Sequence, residues 1–423
     1  MILRQYTFYL CCITIIFTSQ VTAQTEYCNS GLFLTNQFSS IMIPDVPYGA
    51  AENWLGVNQS LEMNIFTPDD GSTESRPLIV FVHGGAFISG DRSDMNELCM
   101  DFASKGYVTA TIEYRLGFLI NIFDICQSNE SSFRLAMHRA FQDTRAALRF
   151  LTANAETYRV DTSSIFLGGA SAGAISALHA GYLQDNEVEQ FILDELGGLD
   201  ESTNTLTDTY EIDAIISIAG ALNEIDYITS GEQIPMILLH GTCDEIVPYG
   251  EGHYFECENI PTVYGTDVIA NQAEILGIPS WTETYCGGDH GFTAVDIIEA
   301  AMEVTGFLYQ HLLCEEPLTR VHNGNLVDTD CINANICLTT AIQEPDWLDE
   351  IQIAPNPNKG TFALNHLPNE IQRIEVVNIE GRVVETLIPG LDQMIYLDHL
   401  PSGIYFLKIH DDSVSGVIKF IIQ

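Results

Sequence analysis

Between residues 61 and 313 the chain alternates apolar runs of strand length with longer stretches whose apolar positions recur every three or four residues. The runs LEMNIF (61–66), LIVFVH (78–83), YVTATIE (107–113), SIFLG (164–168), DAIISIAG (213–220), PMILLHG (235–241) and WTETY (281–285) predict strands. Helical spacing fills 94–104, 134–153, 172–183, 266–276 and 295–313. YVTATIE and PMILLHG are continuous apolar or β-branched runs, as expected of strands covered on both faces. Strand–helix alternation of this kind predicts an α/β fold with a doubly wound, mainly parallel sheet.

The pattern changes after residue 313. Residues 314–349 lose apolar periodicity and predict a linker, within which TDCINANICLTT carries Cys331 and Cys337. From 350 to 423 short alternating runs separated by Pro, Asn and Gly predict a small antiparallel β-sandwich. At the other end, MILRQYTFYLCCITIIFTSQVTA has Arg4, an apolar run to about Phe17 and the small-residue sequence Val21-Thr22-Ala23. Residues 1–23 therefore predict a signal peptide, and the catalytic or binding domain is expected over 24–313. No later run is long and apolar enough for a membrane helix, so no membrane span is expected.

Charge narrows the partners. The chain has 58 Asp and Glu against 16 Lys and Arg, a formal net charge of −42. Nucleic acid and anionic membranes reward clustered basic residues and are not expected as partners. Export permits disulfides, and nine cysteines remain beyond the predicted leader, an odd number that leaves at least one unpaired within the chain. Cys99 lies in a helical apolar pattern and is expected as a small core residue. Cys243 and Cys286 fall beside candidate functional residues. A disulfide involving Cys243, Cys257 or Cys286 is expected to brace those loops, with free or buried thiols as the alternative. No cysteine or histidine spacing matches a zinc site, and neither metal nor cofactor is expected.

Four loops at predicted strand ends carry the chemistry. SIFLG runs into Gly169-Ala170-Ser171-Ala172-Gly173 and then a helix. A G-x-S-x-G turn between strand and helix holds a serine hydroxyl out at the carboxyl edge of a sheet, although alone it is equally a glycine-rich turn. FVHGGAF places Gly85 and Ala86 in the loop after another strand, where backbone N–H groups can meet an oxyanion together with that of Ala172. PMILLHGTCDEIVPYG puts Asp244 just beyond a strand, with Glu245 and Glu251 as rivals. ETYCGGDHGF sets His290 in a mobile glycine loop, whereas His83 and His240 lie inside strand ends and are expected to be packed or hydrogen-bonded. The chain order Ser171, Asp244, His290 is that of an α/β-hydrolase triad.

With these residues the stretch from about 53 to 313 resembles the α/β-hydrolase carboxylesterases, including the carboxylesterase/lipase and hormone-sensitive-lipase-like groups. The matching pieces are SLEMNIFTP, HGGAF, EYRLG, QDTRAALRFLTANA, GGASAGAISAL, HGTCDEIVPYGEG and GGDHGF. The resemblance implies Ser171 as nucleophile, His290 as general base, Asp244 as its orienting acid, and Gly85, Ala86 and Ala172 as oxyanion donors. It implies a serine carboxylesterase acting on a small-molecule or polymer-linked ester. A serine peptidase and a non-catalytic adhesion protein on the same fold are the alternatives. Ala86 departs from the glycine often third in that loop, and only the acidic stretch 184–209 could act as a lid. APNPNKGTF, VVNIEGRVV, LPSGIYFLKI and VIKFIIQ resemble the C-terminal sorting domain of the Bacteroidota type IX secretion system. That implies the secretion machinery as a partner and a secreted or cell-surface location reached through the periplasm. A carbohydrate-binding module is the alternative for the tail.

Overall fold

The computed structural model describes residues 31–231, 233–291, 297–314, 321–326, 337, 351–367, 371, 373–378, 383–387, 393–410 and 415–422. The predicted leader, Cys28 and Cys331 lie outside the described residues. Two units separate, one spanning Asn36–Leu338 and the other containing Thr339–Gln423.

The larger unit has strands β1 (Ser40–Glu52), β2 (Asn58–Pro68), β3 (Arg76–Val82), β4 (Val108–Ile112), β5 (Val160–Ala170) and β6 (Ala214–Ile218). There follow β7 (Ala221–Leu222), β8 (Met236–Gly241), β9 (Glu251–His253), β10 (Thr262–Gly265), β11 (Ser280–Cys286) and β12 (Val321–Leu326). Nine form one sheet in the order β1-β2-β4-β3-β5-β6-β8-β11-β12, while β7, β10 and β9 make a small sheet of their own. From β4 to β12 every neighbouring pair in the large sheet is parallel; β1 and β2 are added antiparallel at one edge.

All seven residues of β3 are buried, so both of its faces must be covered. Phe81 meets Phe102 of α1 (Asn96–Lys105) at a ring separation of 5.7 Å. Leu78, Val80 and Val82 instead share a core with Phe141 and Leu178, which lie on α2 (Glu130–Ala153) and α3 (Ala172–Tyr182). Alternate residues thus point to opposite helical layers, and the run LIVFV needs no polar face. Further helices are α4 (Gln190–Leu196), α5 (Thr266–Leu276) and α6 (Ile297–Phe307), the last followed by a π-helical turn at Leu308–Leu313.

Two edge elements depart from the sequence expectation. Residues 321–326, expected within a linker of 314–349, pair in parallel with β11 from Trp281–Val321 to Cys286–Leu326. VHNGNL has too few apolar residues to read as a strand; the open ladder of β11 supplies its backbone partners. Edge strands can be polar because one of their sides has no strand to pair with. β1 was likewise hidden, since it carries Pro44, Pro47 and two register shifts.

The smaller unit is a sandwich of two antiparallel sheets. One contains β13 (Gln352–Ala354), β14 (Thr361–Asn365) and β17 (Gln393–Tyr396). The other contains β15 (Arg373–Asn378), β16 (Val383–Leu387), β18 (Gly403–His410) and β19 (Ser415–Ile422). Its core draws on both, with Phe362, Leu364, Ile374, Val376, Leu407, Ile409, Phe420 and Ile422 buried together.

Candidate active site

β5 ends at Ala170 and α3 begins at Ala172, leaving Ser171 alone at the break with φ 55° and ψ −122°. Those angles are costly for a residue with a side chain and persist only where the surroundings enforce them. Here the Ser171 N–H donates to the Ile218 carbonyl at 2.8 Å, and the Ser171 carbonyl accepts from the Ile175 N–H at 2.9 Å. The hydroxyl is turned toward His290, whose Nε2 lies 2.9 Å from Oγ.

On the other side of the ring, His290 Nδ1 is 2.6 Å from Asp244 Oδ2. Asp244 has a fully buried side chain, whereas that of His290 is 28% exposed. The carboxylate is held from several directions. Its Oδ1 accepts the N–H groups of Ile246 and Val247 at 2.8 and 2.9 Å, and its Oδ2 also meets His240 Nε2 at 3.1 Å. Burial works to raise its pKa, but the bonds from His240 and His290 outweigh that and hold it well below the usual carboxylate range. Glu245 and Glu251, the rivals for its role, are exposed.

The loop after β3 has an unusual backbone: Gly85, Ala86 and Phe87 take φ of 113°, 53° and 62° in succession. No described residue accepts the N–H of Gly85, Ala86 or Ala172, the last of which opens α3. Two anchors hold this loop. The Tyr114 hydroxyl donates to the His83 carbonyl at 3.1 Å, and the Gly117 N–H donates to the Phe87 carbonyl at 2.7 Å. The segment supplying both anchors is itself pinned by Arg115, whose Nε lies 2.9 Å from Asp143 Oδ2 and whose Nη2 lies 3.0 Å from Gln142 Oε1. Arg115 and Asp143 are almost wholly buried. EYRLG and QDTRAAL are therefore two halves of one anchor.

His83 and His240 sit as the sequence suggested. His83 is buried, stacked on Tyr114 at 4.4 Å, with Nδ1 2.7 Å from the Gly84 carbonyl. Cys99 is buried and unpaired, and burial pushes its thiol pKa up to about 12. The acidic stretch considered as a lid is fixed along α2: Gln142 Nε2 donates to the Leu196 and Gly198 carbonyls at 2.9 and 2.8 Å, and Arg145 pairs with Asp200 at 2.6 Å. The disulfide expectation holds in part: Cys243, Cys257 and Cys286 are all disulfide-bonded rather than free. Cys257 bonds to Cys126 and Cys286 to Cys337, so neither ties the acid loop to the base loop. The sequence offered no signal for either partner, since 131 and 51 residues separate them.

Residues 63–226 match the BD-FAE family model, and residues 352–423 match the secretion system C-terminal sorting domain. The larger unit has the α/β-hydrolase fold, and the tail matches a sorting domain. The BD-FAE match contains Gly85, Ala86, Ser171 and Ala172, while Asp244 and His290 lie beyond it. Among curated proteins, the chain is 34% identical over 118 residues to Neuroligin-like protein glit-1 of Caenorhabditis elegans. It is 32% identical over 118 residues to Gut esterase 1 of the same species. Each match covers 27% of this chain, and the chain spans only 15% and 20% of those relatives' lengths. Thermogutta terrifontis esterase 2 phosphorylated by paraoxon superposes with a TM-score of 0.47 and 20% identity, covering 66% of this chain and 96% of that one. Among the described residues no helix is long and apolar enough to cross a membrane.

Proposed function

We propose that this protein is a secreted serine carboxylic-ester hydrolase. The observation that carries the reading is the unbroken line from Ser171 Oγ to His290 Nε2 at 2.9 Å and from His290 Nδ1 to Asp244 Oδ2 at 2.6 Å. A non-catalytic binding protein on this fold would have no need for that alignment at a strained elbow.

In this reading the Ser171 oxygen attacks the ester carbonyl carbon as its proton passes to His290 Nε2. Asp244 keeps the ring oriented and stabilises the imidazolium. The carbonyl oxygen gains a negative charge and is met by the N–H groups of Gly85, Ala86 and Ala172, which have no acceptor among the described residues. Collapse expels the alkoxide, which takes the proton from His290 and leaves as an alcohol. Water then repeats the sequence against the acyl-serine, releasing the acid and restoring Ser171. No step asks for a metal or cofactor. Residues 1–23 would direct the chain to the periplasm, and the tail would act as the address for type IX secretion. Small-molecule esters and ester groups carried on polymers are both substrates this chemistry admits.

Ser171→Ala tests the assignment. Hydrolysis of p-nitrophenyl acetate should fall by ~10³-fold or more while the circular-dichroism spectrum stays that of the parent, because only a hydroxyl is removed. Turnover close to the parent's would show that Ser171 is not the nucleophile.

A further inference from the structure

His240 stands out because it shares the acid's oxygen with the base. Its Nε2 faces two acceptors, Asp244 Oδ2 at 3.1 Å and the Val247 carbonyl at 3.0 Å, so this nitrogen carries a hydrogen. The opposite nitrogen, Nδ1, lies 3.0 Å from the hydroxyl of Thr266, the first residue of α5. Tyr249 closes on the ring edge-on at 5.6 Å, and His240, Thr266 and Tyr249 are all buried. A carboxylate oxygen has two lone pairs. On Oδ2 one serves His290 and the other serves His240, while Oδ1 is occupied by the Ile246 and Val247 N–H groups.

We propose that His240 is a positioning residue for the hydrolytic line, its Nε2–H fixing the plane of the Asp244 carboxylate so that Oδ2 faces His290. This rests on the serine-hydrolase reading above. Two consequences distinguish it from plain packing. The donor on Oδ2 fixes direction, which the two backbone bonds to Oδ1 leave free to rock about that oxygen. The same donor also draws charge from Oδ2, so the proton between Asp244 and His290 stays on the imidazole. Without it the carboxylate becomes more basic and stabilises the imidazolium form of His290 more strongly. The acid limb of the rate profile then moves to higher pH.

The test compares His240→Leu, His240→Gln and Thr266→Val in the full chain. Gln places an amide N–H near the lost Nε2, while Leu fills the space without a donor. The expected result for Leu is a ~10- to 100-fold loss in kcat with KM within about twofold, and an acid limb of kcat/KM shifted upward. Gln should recover most of that loss. Thr266→Val, which removes only the support behind the ring, should move kcat and the acid limb the same way by a smaller factor, and it decides the matter if the Leu variant does not fold. Folded variants with unchanged kcat and an unmoved acid limb overturn the proposal. Labelling of Ser171 by a fluorophosphonate probe separates this from failure of the underlying reading. A parent protein that neither hydrolyses esters nor takes the label overturns the hydrolase assignment and this proposal with it. A labelled, active parent whose His240→Leu variant matches it overturns this proposal alone.

Discussion

A methyl group placed on Gly173 would lie 1.9 Å from the Val82 carbonyl oxygen, and one on Gly169 would lie 2.4 Å from the Gly173 carbonyl carbon. The glycines beside Ser171 therefore let α3 and β5 close on each other and on the end of β3, while the unfavourable angles fall on Ser171 itself. Crowding and strain are separate demands at one turn. Gly173→Ala should force α3 away from β3 and destabilise the domain by ~2 kcal/mol or more, read as a lowered urea midpoint. An unchanged midpoint would mean that the elbow relaxes freely. Ala86 and Phe87 also take positive φ, in a loop where the N–H groups of Gly85 and Ala86 have no acceptor among the described residues. Residue types marked these positions in the sequence. Which of them carried positive φ was not legible, because that depends on the anchors Tyr114 and Gly117 reaching in from the segment after β4.

At the scale of elements, the apolar or β-branched runs located the strands β3, β4 and β8, which are buried on both faces. Periodicity failed at β1 and β12, whose pairing is dictated by a neighbour's open ladder rather than by their own side chains. The loops of Ser171, Asp244 and His290 were legible for the same reason as the core: each follows an unmistakable strand. The disulfide partners were not, for contacts across 131 and 51 residues leave no local trace. The contact between α2 and α3 makes a testable link to pH. His179 stacks on Phe141 at 4.4 Å, with Nδ1 2.8 Å from the Ile175 carbonyl and Nε2 accepting the Asn223 N–H at 3.2 Å. The ring has no room for a second proton. Burial pushes the pKa of His179, and that of His138 on α2, down to about 4. Between that value and the ordinary histidine range the unfolded chain binds more protons than the folded one, so stability is full above that range and falls with pH below it. Each group contributes at most about 1.4 kcal/mol per pH unit. Urea midpoints should drop from pH 7 to pH 5 in high salt, which screens the net charge of −42. A flat profile would show that these rings protonate without cost.

For the whole molecule, the tail's buried core, among the described residues, is drawn from residues 351–422. That core is separate from the one of the larger unit, although the stretch before residue 36 groups with the tail and Leu34 lies beside Gly403. Of its aromatic residues Phe362, Tyr405 and Phe420 are buried, with Phe362 and Phe420 in contact at 4.9 Å, so they serve packing rather than a flat sugar-binding platform. Deleting residues 351–423 should leave kcat/KM on a soluble ester within about twofold of the parent. In the native host the same deletion should hold the enzyme in the periplasm, measured by fractionation. Normal export would remove the sorting role, and a loss confined to an insoluble polymer would favour a binding role for the tail.

The Cys286–Cys337 bond gives the larger unit a covalent ring. Its two ends lie at the close of β11 and beyond β12, and the residues between include His290 and all of β12. A protease that cuts once inside the ring divides the chain without releasing a piece, because the bridge still joins both sides. A cut beyond residue 337 frees the tail and leaves the ring whole. A chain cut beyond residue 337 would thus lose its sorting domain and keep His290 tethered, and a reductant would reveal any cut inside the ring.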